Sequence, residues 1–202
     1  TTGTSAKFNY PYGITSDGTN LYVADKDNHK IRKIVISTGV VTTLAGSTAG
    51  FSDGTGTAAS FNKPYGITID GNNLYVADGN SHKIRKIVIS SGVVTTLAGS
   101  GSSGSADGTS TTASFDYPKN ITSEGDYLYV TDSNNHTIRK IIASSGVVKT
   151  IAGTGSLGSS NGTGTSASFN KPNGLAVAGS NLFVGDSANN IIRKIAIKET
   201  ET

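Results

Sequence analysis

The sequence predicts an all-β fold built from repeated units, and three observations support this prediction. A pattern recurs four times, because Phe8, Phe61, Phe115 and Phe169 begin copies spaced by 53, 54 and 54 residues. Glycine, threonine and β-branched residues are abundant, whereas charged residues make up 15% of the 202-residue chain. Short apolar runs alternate with turn residues, and no copy holds an unbroken helical period.

Each copy is predicted to contain four short strands. In the first copy they are Tyr12–Thr15, Leu21–Ala24, Lys30–Ile36 and Val40–Leu44, separated by turns rich in Asp, Gly, Asn and Ser. The second strand is apolar on both alternating faces, as a strand stacked between two neighbours requires. A single four-stranded unit cannot bury both of its faces, so the units must stack. This pattern predicts a β-propeller of about four blades.

The copies form a single predicted domain over residues 1–202. They span 8–46, 61–99, 115–153 and 169–197, and Gly/Ser/Thr-rich linkers join them at 47–60, 100–114 and 154–168. The last copy lacks the G-V-V-T-T-L-A-G segment, so its blade is predicted to be incomplete. An incompletely closed ring exposes blade faces rich in Ile, Val and Leu, and association would cover them. We therefore expect a homodimer, with a tightly closed four-bladed monomer as the second choice.

The repeated unit resembles the NHL repeat. The resemblance lies in F-x-x-P-x-G-I, LYVAD, N-H-x-IRKI and G-V-V-T-T-L-A-G, and it covers nearly the whole chain. It implies NHL-type blades, of which complete family members usually have six. Four copies then suggest a piece of a larger propeller, a small ring, or a chain that pairs with another to close one. The resemblance does not specify function, because NHL propellers include extracellular bacterial proteins, RNA-binding and ligase-associated domains, and a lyase.

Several residues recur in every copy and are predicted to be structural. Proline suits the start of the innermost strand, and the glycine two positions later, which Asn120 replaces in the third copy, lets that strand approach the crowded axis. A carboxylate ends the second strand, and an arginine in the third is predicted to meet it bidentately. These pairs are Asp25, Asp78, Asp132 and Asp186 with Arg32, Arg85, Arg139 and Arg193.

Histidine occupies one equivalent position in three copies, at His29, His82 and His136, and Asn190 replaces it in the fourth. We expect each histidine to form a hydrogen bond within its own blade. Rings in separate blades would lie too far apart to share one ion at about 2 Å, so no metal site is predicted. Each linker offers at most one acidic side chain, which is too few for calcium. No cofactor is predicted.

The composition argues against several other functions. The chain has no cysteine and no G-x-S-x-G motif, so no catalytic residue is predicted. No stretch of 18 apolar residues exists, so no membrane insertion is expected. The net charge of +3 is small, and acidic residues dilute the lysines of the IRKI runs, which makes a nucleic-acid partner unlikely.

Candidate binding residues are those that differ between copies on one predicted face. The turns between second and third strands and the long linkers emerge on this face, beside the mouth of the central channel. The variable residues mix tyrosine with lysine, which suits a polar peptide or carbohydrate or a protein surface. They are Tyr10, Tyr12, Lys63, Tyr65, Tyr117, Lys119, Lys171 and Asn173.

The sequence therefore predicts a non-enzymatic interaction or scaffold module that binds a protein, peptide or carbohydrate. A secreted or cell-surface bacterial protein fits the missing catalytic chemistry and the Gly/Ser/Thr-rich loops. Two alternatives stay open: a nucleic-acid-binding propeller of the NHL type, and a propeller enzyme of the lyase or lactonase type.

Overall fold

The protein folds into four antiparallel sheets, each formed by one sequence copy. The computed structural model describes residues 2–197. Blade 1 consists of β1 (Pro11–Ser16), β2 (Asn20–Asp25), β3 (Lys30–Val35) and β4 (Val41–Ala45). Blade 2 consists of β6 (Pro64–Asp70), β7 (Asn73–Asp78), β8 (Lys83–Val88) and β9 (Val93–Ala98), with the short linker strand β5 (Gly54–Thr55) on its outer edge.

The third and fourth copies repeat this order. Blade 3 consists of β11 (Pro118–Glu124), β12 (Tyr127–Asp132), β13 (Thr137–Ile142) and β14 (Val147–Ala152), with β10 (Gly108–Thr109) outside β14. Blade 4 consists of β15 (Pro172–Ala178), β16 (Asn181–Asp186) and β17 (Ile191–Ala196). The predicted strands of the first copy are confirmed to within one residue at each end. Within residues 2–197 the last blade has three strands, as the sequence predicts.

Short 3₁₀ turns complete the blades. The turns between second and third strands include Lys26–Asn28, Gly79–Ser81 and Ser187–Asn189, and the linkers contain Gly3–Ser5, Gly56–Ala58, Ser110–Thr112 and Gly164–Ser166. Across the described residues, no helix is long and apolar enough to cross a membrane.

The innermost strands lie close together, and glycine stands two positions after the initial proline in blades 1, 2 and 4. A Cβ atom on Gly13 would lie 2.5 Å from the carbonyl oxygen of Tyr65 in the next blade. A Cβ on Gly66 would likewise lie 2.7 Å from the Cα of Asn120. These separations are shorter than real Cβ contacts, so glycine is required where blade 1 packs on blade 2 and where blade 2 packs on blade 3, whereas blade 3 carries Asn120 at this position.

Three apolar cores hold the four blades together. Between blades 1 and 2, Tyr22, Ala24 and Ile31 of the first blade pack against side chains such as Leu74 and Val76 of the second. The equivalent residues form the cores between blades 2 and 3 and between blades 3 and 4. We call the face of a blade that carries Tyr22, Ala24 and Ile31 or their equivalents its forward face. The face of the following blade that packs on it, with Leu74 and Val76 or their equivalents, is the backward face.

The two ends of this array remain open. Within the part of the chain that the structure describes, no apolar core joins blade 4 to blade 1. The backward face of blade 1 and the forward face of blade 4 are therefore uncovered, and Ile14 and Ile192 are 60% and 73% exposed on them. Among residues 2–197 the four blades thus form an arc whose two ends no apolar core joins, and the homodimer and the closed four-bladed monomer both stay predictions.

Candidate binding site at the channel mouth

The repeated arginines join each blade to the linker before it. Arg85 Nη1 donates to Asp78 Oδ2 at 3.2 Å, while Nη2 donates to Asp53 Oδ1 at 2.8 Å. Arg139 divides its two amino groups in the same way between Asp132 and Asp107. The expected pairing is confirmed, but the bidentate geometry is wrong, because the guanidinium spans two carboxylates. In blades 1 and 4, Arg32 and Arg193 also place one nitrogen on their strand-ending partners, Asp25 and Asp186.

These clasps have a structural role and are unavailable to a ligand. Arg85, Asp78, Arg139 and Asp132 are all fully buried. Burial raises the pKa of Asp78 and of Asp132 to about 6, because desolvation outweighs the favourable interactions that include the arginine. A buried ion pair of this kind specifies geometry more than it adds net stability.

The histidines connect neighbouring blades. His29 Nδ1 accepts a hydrogen bond from the backbone N–H of Lys63 in blade 2 at 3.2 Å. His82 and His136 do the same for the next two blades, accepting from Tyr117 and Lys171. The expectation of a bond within each histidine's own blade is therefore wrong. No group of three or more metal-ligating side chains lies together among residues 2–197.

The residues that donate these hydrogen bonds to histidine share a left-handed backbone with Tyr10, which holds the equivalent position in blade 1. Tyr10, Lys63, Tyr117 and Lys171 have φ angles of 53°, 56°, 59° and 50°. Each stands just before the proline that begins an innermost strand. This conformation is uncommon for residues other than glycine, and side chains held in it cluster at functional sites.

Three tyrosines from three blades form an aromatic cluster at the channel. The rings of Tyr12 and Tyr65 lie 4.9 Å apart edge to face, and those of Tyr65 and Tyr117 lie 5.2 Å apart. The hydroxyls of Tyr65 and Tyr117 are hydrogen-bonded to each other. Tyr12 donates to Asn173 Oδ1 of blade 4 at 2.7 Å, which carries the cluster across the channel. Burial raises the pKa of Tyr12 and of Tyr65, so both hydroxyls stay protonated.

Lysines surround this cluster. Lys26 Nζ lies 3.9 Å from the centre of the Tyr10 ring and 5.2 Å from that of Tyr65. Burial lowers the pKa of Lys119, and the charges of Lys171 and Lys26 lower it further. Lys171 and Lys26 therefore each repel the ammonium group of Lys119, although Lys26 Nζ also lies 3.4 Å from Asp27 Oδ1. An anion beside Lys119 would relieve this repulsion.

The structure brings most of the predicted binding residues together. Tyr12, Tyr65, Tyr117 and Asn173 are joined by direct contacts, and Lys119 and Lys171 interact electrostatically. Tyr10 is connected to them through Lys26. Lys63 lies instead beside His29, where burial lowers the pKa of the histidine and the charge of Lys63 lowers it further.

Lys26 also belongs to this site, and the sequence indicates it as a further candidate because its turn position varies. Its position varies among the copies as Lys26, Gly79, Ser133 and Ser187. The variation has a steric reason at Gly79, where a Cβ would lie 2.7 Å from the Tyr65 ring. A side chain at this turn position therefore reaches the tyrosine cluster, and glycine is needed where the tyrosine occupies that space.

Comparison with other sequences identifies the repeat. The LVIVD repeat model matches residues 117–138. NHL repeat-containing protein 2 of Gallus gallus is 30% identical over 219 residues, covering 94% of this chain and 30% of that protein. The chain therefore spans less than a third of the length of this curated relative.

Comparison with solved structures identifies the architecture. An auxiliary nutrient binding protein from Bacteroides thetaiotaomicron is 22% identical, with a TM-score of 0.71 over 87% of this chain and 44% of its own. Virginiamycin B lyase from Staphylococcus aureus is 18% identical, with a TM-score of 0.58 over 94% of this chain and 56% of its own. At these identities the likeness shows the fold alone. Together with the four blades and their LYVAD and IRKI strands, the comparisons show that this chain belongs to the NHL-repeat β-propeller family.

Proposed function

We propose that the chain is a non-enzymatic binding module that holds its ligand at the channel mouth. The observation that carries this proposal is the convergence of Tyr12, Tyr65 and Tyr117 with the mutually repelling lysines Lys26 and Lys119. The tyrosines supply flat apolar surface and hydroxyl groups, and the lysines supply positive charge. Such a surface suits a peptide or carbohydrate that presents a carboxylate.

The repeated arginines and histidines already form hydrogen bonds within the protein. They are therefore not free to act as catalytic groups, which supports a binding role. The Arg85 and Arg139 clasps join strands to linkers, and the histidines join blades to blades. The structural neighbour named as a nutrient binding protein is consistent with a binding module, and its bacterial source is consistent with a secreted or cell-surface location. The lyase neighbour shares the fold, and among the described residues no metal-ligating cluster supports the enzyme alternative.

The test is a binding assay with defined probes. Oligogalacturonates and glutamate-rich peptides are titrated against the chain by calorimetry, with neutral oligosaccharides and glutamine-rich peptides as matched probes. We expect binding of an acidic probe only, and a loss of about tenfold or more for Lys119→Ala or Tyr12→Ala, since a charge-assisted hydrogen bond contributes about 1.5–3 kcal/mol. Lys149→Ala is the control, because Lys149 is an exposed lysine on the outer strand β14.

Two outcomes would contradict the proposal. Acidic probes that bind wild type and the Lys119 variant equally would exclude the channel mouth as the site. Binding of single-stranded RNA with a steep loss of affinity as salt rises would favour the nucleic-acid alternative instead.

A further inference from the structure

The two open ends of the arc are the two halves of one interface. In every interior contact, a forward face carrying the equivalents of Tyr22, Ala24 and Ile31 meets a backward face carrying the equivalent of Ile67. On the forward face of blade 4, the equivalent residues are Phe183, Gly185 and Ile192. The backward face of blade 1 presents Ile14 at the position of Ile67.

Burial at equivalent positions shows what is missing at each end. Ile67 is 5% exposed beneath the forward face of blade 1, whereas its counterpart Ile14 is 60% exposed. Ile31 is fully buried by blade 2, whereas its counterpart Ile192 is 73% exposed. Apolar grooves of about 340 Å³ and 290 Å³ mark the two faces, the first beside Ile14 and Val23 and the second beside Phe183 and Ile192.

A glycine gives independent evidence that a blade belongs on the forward face of blade 4. Gly13 and Gly66 are required because a Cβ there would collide with the backbone of the next blade. Gly174 occupies the same position in blade 4, yet a Cβ on it would meet no atom within 4 Å. Blade 4 therefore has room beside Gly174 for an innermost strand like those that lie against Gly13 and Gly66.

The hydrogen bond by which a histidine joins each blade to the next is missing at the open ends, where one end offers a donor and the other an acceptor. Tyr10 has the left-handed backbone of Lys63, Tyr117 and Lys171, but its N–H has no acceptor among the described residues. Asn190 stands in blade 4 where the other blades carry histidine, and it shares their left-handed conformation. Its side-chain oxygen is able to accept the hydrogen bond that the Tyr10 N–H lacks.

From these observations we infer that blade 1 of a second copy of this chain packs on the forward face of blade 4, head to tail. The second copy is the occupant because it carries the matching backward face, a sequence equivalent to the covered blades, and the unpaired Tyr10 N–H. Copies 8–46 and 61–99 differ at only seven positions, so a blade of one chain is able to replace a blade of another. Two copies that make this contact twice form a ring of eight blades, a number known in propellers. In such a ring the Tyr12–Asn173 hydrogen bond is exchanged for two apolar interfaces.

The association is expected to be reversible. Blade 4 has no counterpart of Ala45 among its described strands, so the contact is smaller than an interior one. Light scattering and sedimentation of the 202-residue chain between about 1 μM and about 1 mM should show the mass rise from 20.6 kDa to twice that value.

Substitutions on each face test the head-to-tail geometry. We expect Ile14→Asp and Ile192→Asp each to raise the dissociation constant by at least about 100-fold, because each would bury an unpaired charge. Gly174→Val should do the same while leaving the monomer folded, since its side chain would meet only empty space there. Leu157→Asp is the control, because Leu157 is an exposed leucine in the linker before blade 4 and lines neither groove.

Mixing the two charge variants separates this geometry from a symmetric dimer. One unmodified backward face and one unmodified forward face then remain, so the mixture should form a pair of chains although neither variant associates alone. Circular dichroism melting of each dilute variant shows whether it is folded. The inference is overturned if wild type stays at 20.6 kDa at every concentration, if Gly174→Val associates like wild type, or if the mixture stays monomeric.

Discussion

The interior and the end blades carry nearly the same sequence in two different environments. Ile84 of blade 2 is fully buried, and its counterpart Ile192 of blade 4 is largely exposed. The strand around each is the same IRKI pattern, so local propensity does not cause the difference. In a repeat array, stability comes from each unit and from its contacts with immediate neighbours. An apolar residue on a blade face therefore contributes its full burial only where a following or preceding blade covers it.

Removing the arginine that joins a blade to its linker should show the largest difference in stability between an interior blade and an end blade. Arg85→Ala leaves Asp78 buried without its cationic partner, and we expect a loss of about 3–5 kcal/mol in the free energy of unfolding. Arg32 of blade 1 bonds one carboxylate and one carbonyl, whereas Arg85 bonds two of each. Arg32→Ala should therefore cost less. Urea unfolding of both variants provides the measurement, and equal losses would contradict the comparison.

Truncating an apolar side chain should cost much more stability between two blades than on an open end face. This is the second-largest expected difference. Ile84→Ala removes a fully buried side chain from the core between blades 2 and 3, at an expected cost of about 2–5 kcal/mol. Ile192→Ala should change stability by less than about 0.5 kcal/mol in dilute solution, where the chain is monomeric. Urea unfolding of both variants at low protein concentration is the test. A large loss for Ile192→Ala under those conditions would show that the forward face of blade 4 is covered within one chain.

Sequence reasoning succeeds here where structure depends on local spacing. The strands of the first copy follow from apolar runs and turn residues, and the Pro-x-Gly pattern follows from the close approach of the innermost strands. Stacking follows because the second strand is apolar on both sides, as Tyr22 and Val23 are. Each of these features is set by neighbours a few residues away or by the adjacent blade.

Contacts set by the angle between blades could not be predicted in the same way. The hydrogen bond from Tyr12 to Asn173 joins residues 161 positions apart and depends on how far each blade rotates. His29 was assigned to its own blade because its reach toward Lys63 also depends on that rotation. Arg85 divides its donors because the linker folds back beside it, which places Asp53 within reach. The sequence thus indicated which positions form the channel mouth, but not which side chains touch.

Adding a methyl group at equivalent glycines should cost stability at a covered blade face but not at an open one, and this difference is expected to be smaller. Gly13→Ala would place Cβ 2.5 Å from a backbone oxygen, and the blades must separate to accommodate it. We expect a loss of about 1–3 kcal/mol, as for other overpacked sites. Gly174→Ala meets open space and should leave the melting temperature unchanged or slightly raised. Comparable losses for both variants, measured by thermal unfolding, would mean that Gly174 is also covered in the monomer.

The smallest expected effect is a dependence of stability on pH through the histidines between blades. Burial lowers the pKa of His29 and of His136 below the ordinary histidine value of about 6.5, and each accepts a backbone N–H at a neutral Nδ1. The unfolded chain then binds more protons than the folded one, so their contribution is complete above pH 6.5 and falls as the pH drops through the lowered pKa. Asp78 and Asp132 contribute with the opposite sign between about pH 6 and pH 4, because their pKa values are raised in the folded state.

Replacing the histidines by the residue that blade 4 already uses isolates their contribution. His29→Asn with His136→Asn keeps a side-chain acceptor and a residue that tolerates the left-handed backbone, as Asn190 does. The difference in unfolding free energy between wild type and this double variant should favour wild type less as the pH falls from 7 to 5. The carboxylates cancel in that difference, because both proteins contain them. A difference that stays constant with pH would show that the histidines connect the blades by packing alone. The distinction between the three joined interfaces and the open one would then rest on their apolar faces.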